Sequence, residues 1–392
     1  MGVAMRTNPS ISLSAVLLLS VFVSCSHDDS EVTDTEVSSR SYRGHETDLD
    51  SNNLVGVYPS LVGSRLDDCQ TCHSGKIEDR KLAGSSCDHC HELLLHGTGH
   101  DPEETLNGYG RDYLSAGRSK GALRTIEGED SDGDGFLNRE ELSAGRFPGS
   151  SLSAPGQAVA KVVTVSLKEL KAGPSHGQFM MINNTQQRSD DYATFTGITI
   201  EDLFRSKHIS IVGATGITVI APDGYMKSLP IEYVGRVFPR PAFHSGLGVE
   251  TLGPECGLIT YPETLPDGLA DGSPIPGEQR LMLGWEKNGV PLEPARLDAT
   301  EGKILGEGPF RMVVPQLSPG MADRGSSFSP SGCSDGFDFK SDADHNAGSM
   351  VRTVIAIRID PMPAGVEEFD YMNGGWAYIN AGQLIIYGHG VG

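Results

Sequence analysis

Basic residues are scarce in this chain: 31 lysines and arginines stand against 52 aspartates and glutamates, giving a formal net charge of −21 over 392 residues. Such a surface repels phosphate backbones and anionic headgroups, which excludes nucleic acid and acidic lipid as partner surfaces. Long apolar runs are missing too. The uncharged stretch Ile11 to Val23 (ISLSAVLLLSVFV) has the length of a signal-peptide core and is too short to span a bilayer comfortably. Large apolar side chains are nearly absent from 26 to 53, an acidic segment that cannot bury enough surface to fold and reads as a flexible tether. The 49 glycines and 23 prolines, with 38% hydrophobic residues, argue against a helical bundle and for a loop-rich β protein. Cysteine is sparse as well, and each of the seven can be given a task.

Four of them stand in two pentapeptides, Cys69-Gln-Thr-Cys72-His73 and Cys87-Asp-His-Cys90-His91. In a C-x-x-C-H sequence two thiols one helical turn apart each form a thioether to a haem vinyl group, and the next imidazole comes under the iron. The pattern points to two covalently bound haems of c type, with His73 and His91 as proximal ligands. The same four cysteines could instead close a tetrahedral zinc site, but a histidine follows each second cysteine, which four thiolates do not need. His96 and His100, a helical turn apart just beyond the second motif, are the nearest candidates for the distal positions, with His45 and His89 in reserve. Motifs this close in sequence imply neighbouring haems and electron transfer between them. A segment as short as 54–150 cannot enclose two porphyrins with a conventional core, so the haems would supply much of its interior.

Downstream lies Asp130-Ser-Asp132-Gly-Asp134-Gly135-Phe136-Leu-Asn138-Arg-Glu140-Glu141, which has the twelve-position spacing of an EF-hand calcium loop. Asp130, Asp132, Asp134 and Glu141 would offer carboxylates, Phe136 its carbonyl and Asn138 a water-mediated contact, while Gly135 allows the sharp turn. Short helices are expected over 122–127 and 139–144. A lone hand lacks the usual pairing partner, and a calcium ion here is expected to clamp the module rather than to sense.

From 151 to 392 short β-branched runs alternate with glycine and proline. Strands are expected at 161–167, 209–212, 217–220, 311–314, 350–359 and 383–387, a helix at 200–207, and a hairpin turn at 214–216. Cys256 and Cys333, left over after the haem cysteines and Cys25, are expected to form a disulfide. No catalytic residue is singled out: His176, His208, His244, His345 and His389 are scattered, and the acidic run 335–345 lacks a recognised loop spacing.

Three resemblances follow. Val23-Ser24-Cys25 resembles the lipobox of bacterial lipoproteins, with Phe22 in place of the usual leucine. That implies removal of residues 1–24, lipid on Cys25, a tether over 25–53 and, because Ser26 is not the aspartate of inner-membrane retention signals, outer-membrane placement. The order of two C-x-x-C-H motifs, Asn107-Gly-Tyr-Gly110, the acidic loop and Gly306-Glu307-Gly308-Pro309 resembles the bacterial diheme proteins named for a GEGP motif. More remotely, 197–203, Asp223-Gly-Tyr225 to Pro230, 281–291 and 308–315 resemble the molybdopterin-binding domain of sulfite oxidases. This resemblance implies a shared fold more than a shared cofactor, since no arginine-flanked cysteine presents a thiolate and Cys256 is the only nearby substitute.

The expected architecture is therefore multidomain: a small helical, loop-rich diheme module with an EF-hand-like calcium loop, followed by a mostly β (α+β) domain. The expected activity is electron transfer to and from redox proteins of the cell envelope, with two haem c and Ca2+ as cofactors. A haem-linked oxidoreductase using a molybdopterin site, on a substrate the sequence does not name, is the first alternative. A calcium-dependent structural or adhesion lipoprotein is the second.

Overall fold

The computed structural model describes residues 49–62, 64–67, 69–73, 76–77, 80–81, 103, 106–184, 189–222, 225–254, 256–298, 303–324, 344–369 and 381–392. The leader, Cys25, His45, the second C-x-x-C-H motif with His89, His96 and His100, and Cys333 lie outside the described residues.

The body is mostly β, an α+β arrangement with few and short helices. Its two larger sheets use β1 Val162–Ser166, β2 His176–Ile182, β3 Asp190–Thr199, β4 Gly216–Ile220, β5 Met226–Pro230, β6 Ile259–Thr260, β7 Met282–Lys287, β8 Val290–Pro291, β9 Arg311–Val313, β10 Ala356–Asp360 and β11 Gln383–Gly388. One sheet has the order β1-β11-β10-β4-β5; the other runs β6-β3-β7-β8, with β2 also on β3 and β9 also on β7. Within these sheets β10 pairs with β11, and β6 with β3, in parallel.

Period-two alternation explains why the five-stranded sheet is so apolar. Leu384 and Ile386 of β11 and Ile357 and Ile359 of β10 point into the large core shared with the second sheet. Their neighbours Ile385, Tyr387 and Ala356 point the other way, into a smaller cluster with Ile220 and Ile355. Helix Ile200–Ser206 follows β3, capped by Thr199, whose hydroxyl accepts the Asp202 N–H at 3.1 Å.

Three local expectations change. Residues 209–212 form no strand: His208 takes φ +55, and the Ile209 N–H returns to Phe204 O at 3.0 Å, ending the preceding helix. Without a strand there, 214–216 is no hairpin turn; the hairpin is β4 with β5, one position-run later. Of 350–359 only the end is strand, because Thr353 at φ +52 breaks the extended backbone and its N–H goes to Glu307 O. The GEGP tetrapeptide belongs to this scaffold. Glu307 is the counter-charge of Arg311, which is buried in β9 and lies 2.6 Å away, and it also faces Arg352 at 3.7 Å.

Before the sheets, helices α1 Leu49–Val57, α2 Gly108–Ser115, α3 Lys120–Thr125 and α4 Asn138–Ser143 gather around their own small core, which includes Leu54, Leu66, Tyr109, Leu123 and Ile126. Helix α1 starts inside the segment expected to be tether. Asn53 is buried and its amide donates to the Tyr113 hydroxyl (3.0 Å), which donates to Asp50 (2.9 Å).

This helical part is tied to the sheets by one buried carboxylate. Glu367 receives both Arg65, four residues before Cys69, and Arg146, and accepts the Ser153 hydroxyl at 2.8 Å. Val366–Glu367 also runs as a short parallel ladder beside Ala158–Val159. Removing one partner of a buried ion pair strands the other charge and costs about 3–5 kcal/mol. Glu367→Ala is expected to lower the denaturant midpoint by a change of that order, and Glu367→Asp by less. An unchanged midpoint in the alanine variant would show that the two arginines find other counter-charges.

Candidate functional site

The first C-x-x-C-H motif begins as one 3-10 turn, Cys69–Thr71. Thr71 is fully buried, and its hydroxyl donates to Leu66 O at 2.7 Å, which closes the turn on the preceding chain. Cys72 follows, half-buried, and His73 makes a single antiparallel bridge with Leu106.

Asn107 braces this backbone. Its N–H donates to Cys72 O (2.9 Å), and its side-chain amide donates to Gln70 O and Thr71 O (3.2 Å each). The amide oxygen faces the other way and accepts the Gly110 N–H at 2.9 Å, which caps α2. One side chain thus joins the carbonyls of the motif to the first turn of a helix. The next glycines let that helix come close. A β-carbon at Gly110 would sit 2.2 Å from Cys72 O, and one at Gly108 would sit 1.9 Å from Ser131 O, in the acidic loop. Between them, Tyr109 is fully buried; burial, and then the neighbouring Cys72, push its phenol above the usual tyrosine range.

The acidic loop is folded by its own carboxylates. Asp130 accepts the N–H groups of Gly133 (2.8 Å) and Gly135 (3.0 Å), Asp132 accepts that of Asp134 (3.2 Å), and Asp134 accepts that of Phe136 (2.9 Å). Gly135 makes the expected sharp turn at φ +99. One oxygen from each of Asp130, Asp132 and Asp134 lies within 4.8 Å of the other two, the only such group of three metal-ligating side chains among the described residues. Helix α4 then carries in Glu141, which is fully buried.

Both Glu141 oxygens, Asp132 Oδ2 and Asp134 Oδ2 are buried without a hydrogen-bond partner. Folded proteins seldom leave even one buried carboxylate oxygen unpaired, and here several belong to one loop. Burial, with the neighbouring aspartates adding, pushes the Glu141 carboxyl up to about 9; burial also raises Asp132 to about 6. The arrangement suits a hard divalent cation, which would replace repulsion with shared coordination.

Asn138 is occupied otherwise. It is fully buried, its amide donates to Ile126 O (2.7 Å) and Ser131 Oγ (2.9 Å), and its oxygen accepts the Ser131 N–H (3.3 Å). Its part is to close the loop. Ser131 in turn donates to Asp112 Oδ2 on α2 at 2.6 Å. Asn107, Asp112 and Ser131 were not legible as site residues, although an asparagine ahead of two alternate glycines is the kind of signal a helix cap in a crowded place leaves.

In the β body, Cys256 is disulfide-bonded. Its expected partner Cys333 lies outside the described residues. A bridged sulfur cannot act as a thiolate ligand. The scattered histidines remain apart: His345 bonds Asp323 at 3.1 Å, His176 bonds Gln178 at 3.1 Å and His389 bonds Val212 O at 2.7 Å.

The raised Glu141 value has a measurable sign in cation-free protein. The native state holds a proton that the unfolded chain releases near the ordinary glutamate value of 4.5, so the stability this group contributes is full below that pH and is lost as pH rises towards about 9. The denaturant midpoint in chelator is expected to fall across this window, and Glu141→Gln to flatten the decline. A profile equally steep in the variant would remove Glu141 as its source. No protein family, curated protein or solved structure matches this chain, so the chemistry of these side chains carries the functional reading.

Proposed function

We propose that this chain is an envelope electron carrier: a diheme c-type cytochrome, exported and lipid-anchored through Cys25, with a calcium ion in the 130–141 loop. The observation that carries the reading is the pair of C-x-x-C-H motifs at 69–73 and 87–91, a pattern whose thiols and imidazole suit covalent haem attachment. The brace around the first motif supports it. Asn107 fixes the Gln70, Thr71 and Cys72 carbonyls, which would hold the attachment turn against the strain of two thioether links. Cys69, Cys72 and His73 would hold the first haem, and Cys87, Cys90 and His91 the second. Bound haem supplies reversible one-electron chemistry; the chain's own residues attach it, orient it and limit its contact with water.

The loop residues fit calcium. Asp130, Asp132, Asp134 and Glu141 provide hard oxygen donors, several of them buried and otherwise unpaired. The β body would dock a redox partner or seat the carrier in a larger assembly. The bridged Cys256 weighs against a molybdopterin enzyme. No helix among the described residues is long and apolar enough to cross a membrane; the proposed attachment is lipid on Cys25.

Purified holoprotein is expected to show an intense Soret band, two irons per chain, calcium and no molybdenum. Stoichiometric molybdenum would overturn the carrier in favour of an enzyme, and absent haem would favour a structural lipoprotein. Both irons are expected to be low-spin, with His96 and His100 as distal ligands. A ligand-binding, high-spin spectrum in wild type would refute that, and an unchanged spectrum in His100→Ala would remove His100 alone.

Calcium is expected to raise the melting temperature. A ligand that binds only the native state adds about 2.7 kcal/mol at 100 times its dissociation constant, a change that calorimetry with and without chelator resolves. Glu141→Gln is expected to abolish the effect. Equal melting temperatures of the wild type in calcium and in chelator would end the clamp.

A further inference from the structure

The cation loop and the first haem-attachment turn are separated by a single helix start. Gly108 packs against the Ser131 carbonyl so closely that a β-carbon would fall 1.9 Å from it, and two residues on Gly110 packs against the Cys72 carbonyl with 2.2 Å for the same atom. Ser131 sits between the loop carboxylates Asp130 and Asp132, and its hydroxyl bonds Asp112 on α2 at 2.6 Å while accepting Asn138 at 2.9 Å. On the opposite side, Asn107 bonds three consecutive carbonyls of the motif and caps the same helix. Nothing soft lies along this line. Backbone meets backbone at both glycines, and buried or part-buried hydrogen bonds join the rest, so a displacement of the loop moves α2, and α2 moves the Cys72 carbonyl.

We infer that Asn107 is a positioning residue for the first haem-attachment turn, and that through it occupancy of the 130–141 loop by a divalent cation sets the environment of the first haem. The inference rests on the functional reading above and extends it from a clamp to a coupling. Without a cation, mutual repulsion among Asp130, Asp132 and Asp134 drives the loop apart. Ser131 then draws away from α2, and the helix start carries Asn107 with it. Calcium pulls the same parts together. Because coupling free energies are reciprocal, the redox state of the first haem must alter calcium affinity by the same factor that calcium alters its midpoint.

The test is a potentiometric titration of haem-loaded full-length protein with calcium chloride and with chelator. Wild type is expected to show at least one of its two midpoints shifted by chelation. Ser131→Ala, which leaves every proposed ligand and attachment residue in place, is expected to keep two haems and one calcium per chain but lose the part of that shift carried by the Asp112 bond, the Gly108 backbone contact carrying the rest. Asn107→Asp, which keeps the cap oxygen but loses the amide donors to Gln70 and Thr71, is expected to lose the shift as well. Should Asn107→Asp fail to mature with haem, Ser131→Ala and the calcium affinity of oxidised against reduced wild type still decide. Two midpoints indifferent to chelation, or a full shift retained in Ser131→Ala, would overturn the coupling while leaving the diheme, calcium-bound protein standing. A preparation with no Soret band or no calcium uptake would instead end the functional reading, and the coupling with it.

Discussion

Glu367 is the charge on which the arrangement of this molecule turns. Two arginines from the helical segment, Arg65 and Arg146, reach one buried carboxylate at the edge of the β body, and the Ser153 hydroxyl takes part in the same cluster. Arg65 also lies over the Phe147 ring at 4.4 Å, so the guanidinium is held by stacking as well as by charge. Such a cluster adds little net stability compared with well-packed apolar residues, but it tolerates few alternatives. With Arg65 only four residues before Cys69, it places the start of the first motif relative to the sheets.

The acidic loop is the opposite case. There Glu141 is buried and Asp132 and Asp134 are half-buried, yet Glu141 and parts of Asp132 and Asp134 meet no donor. The two sites illustrate one rule of low-dielectric interiors: a buried carboxylate needs a cation, a proton or a set of N–H groups. Glu367 has arginines. The exposed Asp130 has water and the N–H groups of Gly133 and Gly135. Glu141 has neither arginines nor N–H groups and is left to a proton or a bound cation, which is what sets it apart from Glu367.

Helix α2 stands between these requirements. Its first turn is crowded on two sides, by Cys72 O and by Ser131 O, and its N–H groups still need partners. Asn107 meets both demands, because an asparagine cap offers an acceptor to the helix and donors to whatever lies behind it. The two glycines that follow serve close approach rather than unusual dihedral angles.

Several features were legible in the amino-acid order. The loop from Asp130 to Glu141 could be found by spacing, since its acidic side chains are local and its turn is made by Gly135. The short helices, the strands at β4, β9 and β11, and the mostly β character of the body were readable because β-branched runs and glycine turns are properties of neighbours in sequence. Strands β2 and β3 were not. Residues 176–182 contain one β-branched side chain and 190–199 begin with two aspartates; their pairing across seven registered positions is what makes them strands. Met350 to Ile355 reads as strand but is held out of it by long-range bonds to Glu307 and Phe310. Tertiary structure alone decided that Asn138 faces inward, that Glu307 answers Arg311, that Glu367 gathers Arg65 and Arg146, and that Gly108 and Gly110 lie against two different motifs. Each of these depends on which distant backbone or charge arrives at a side chain, and burial turns that arrival into a requirement that local sequence does not record.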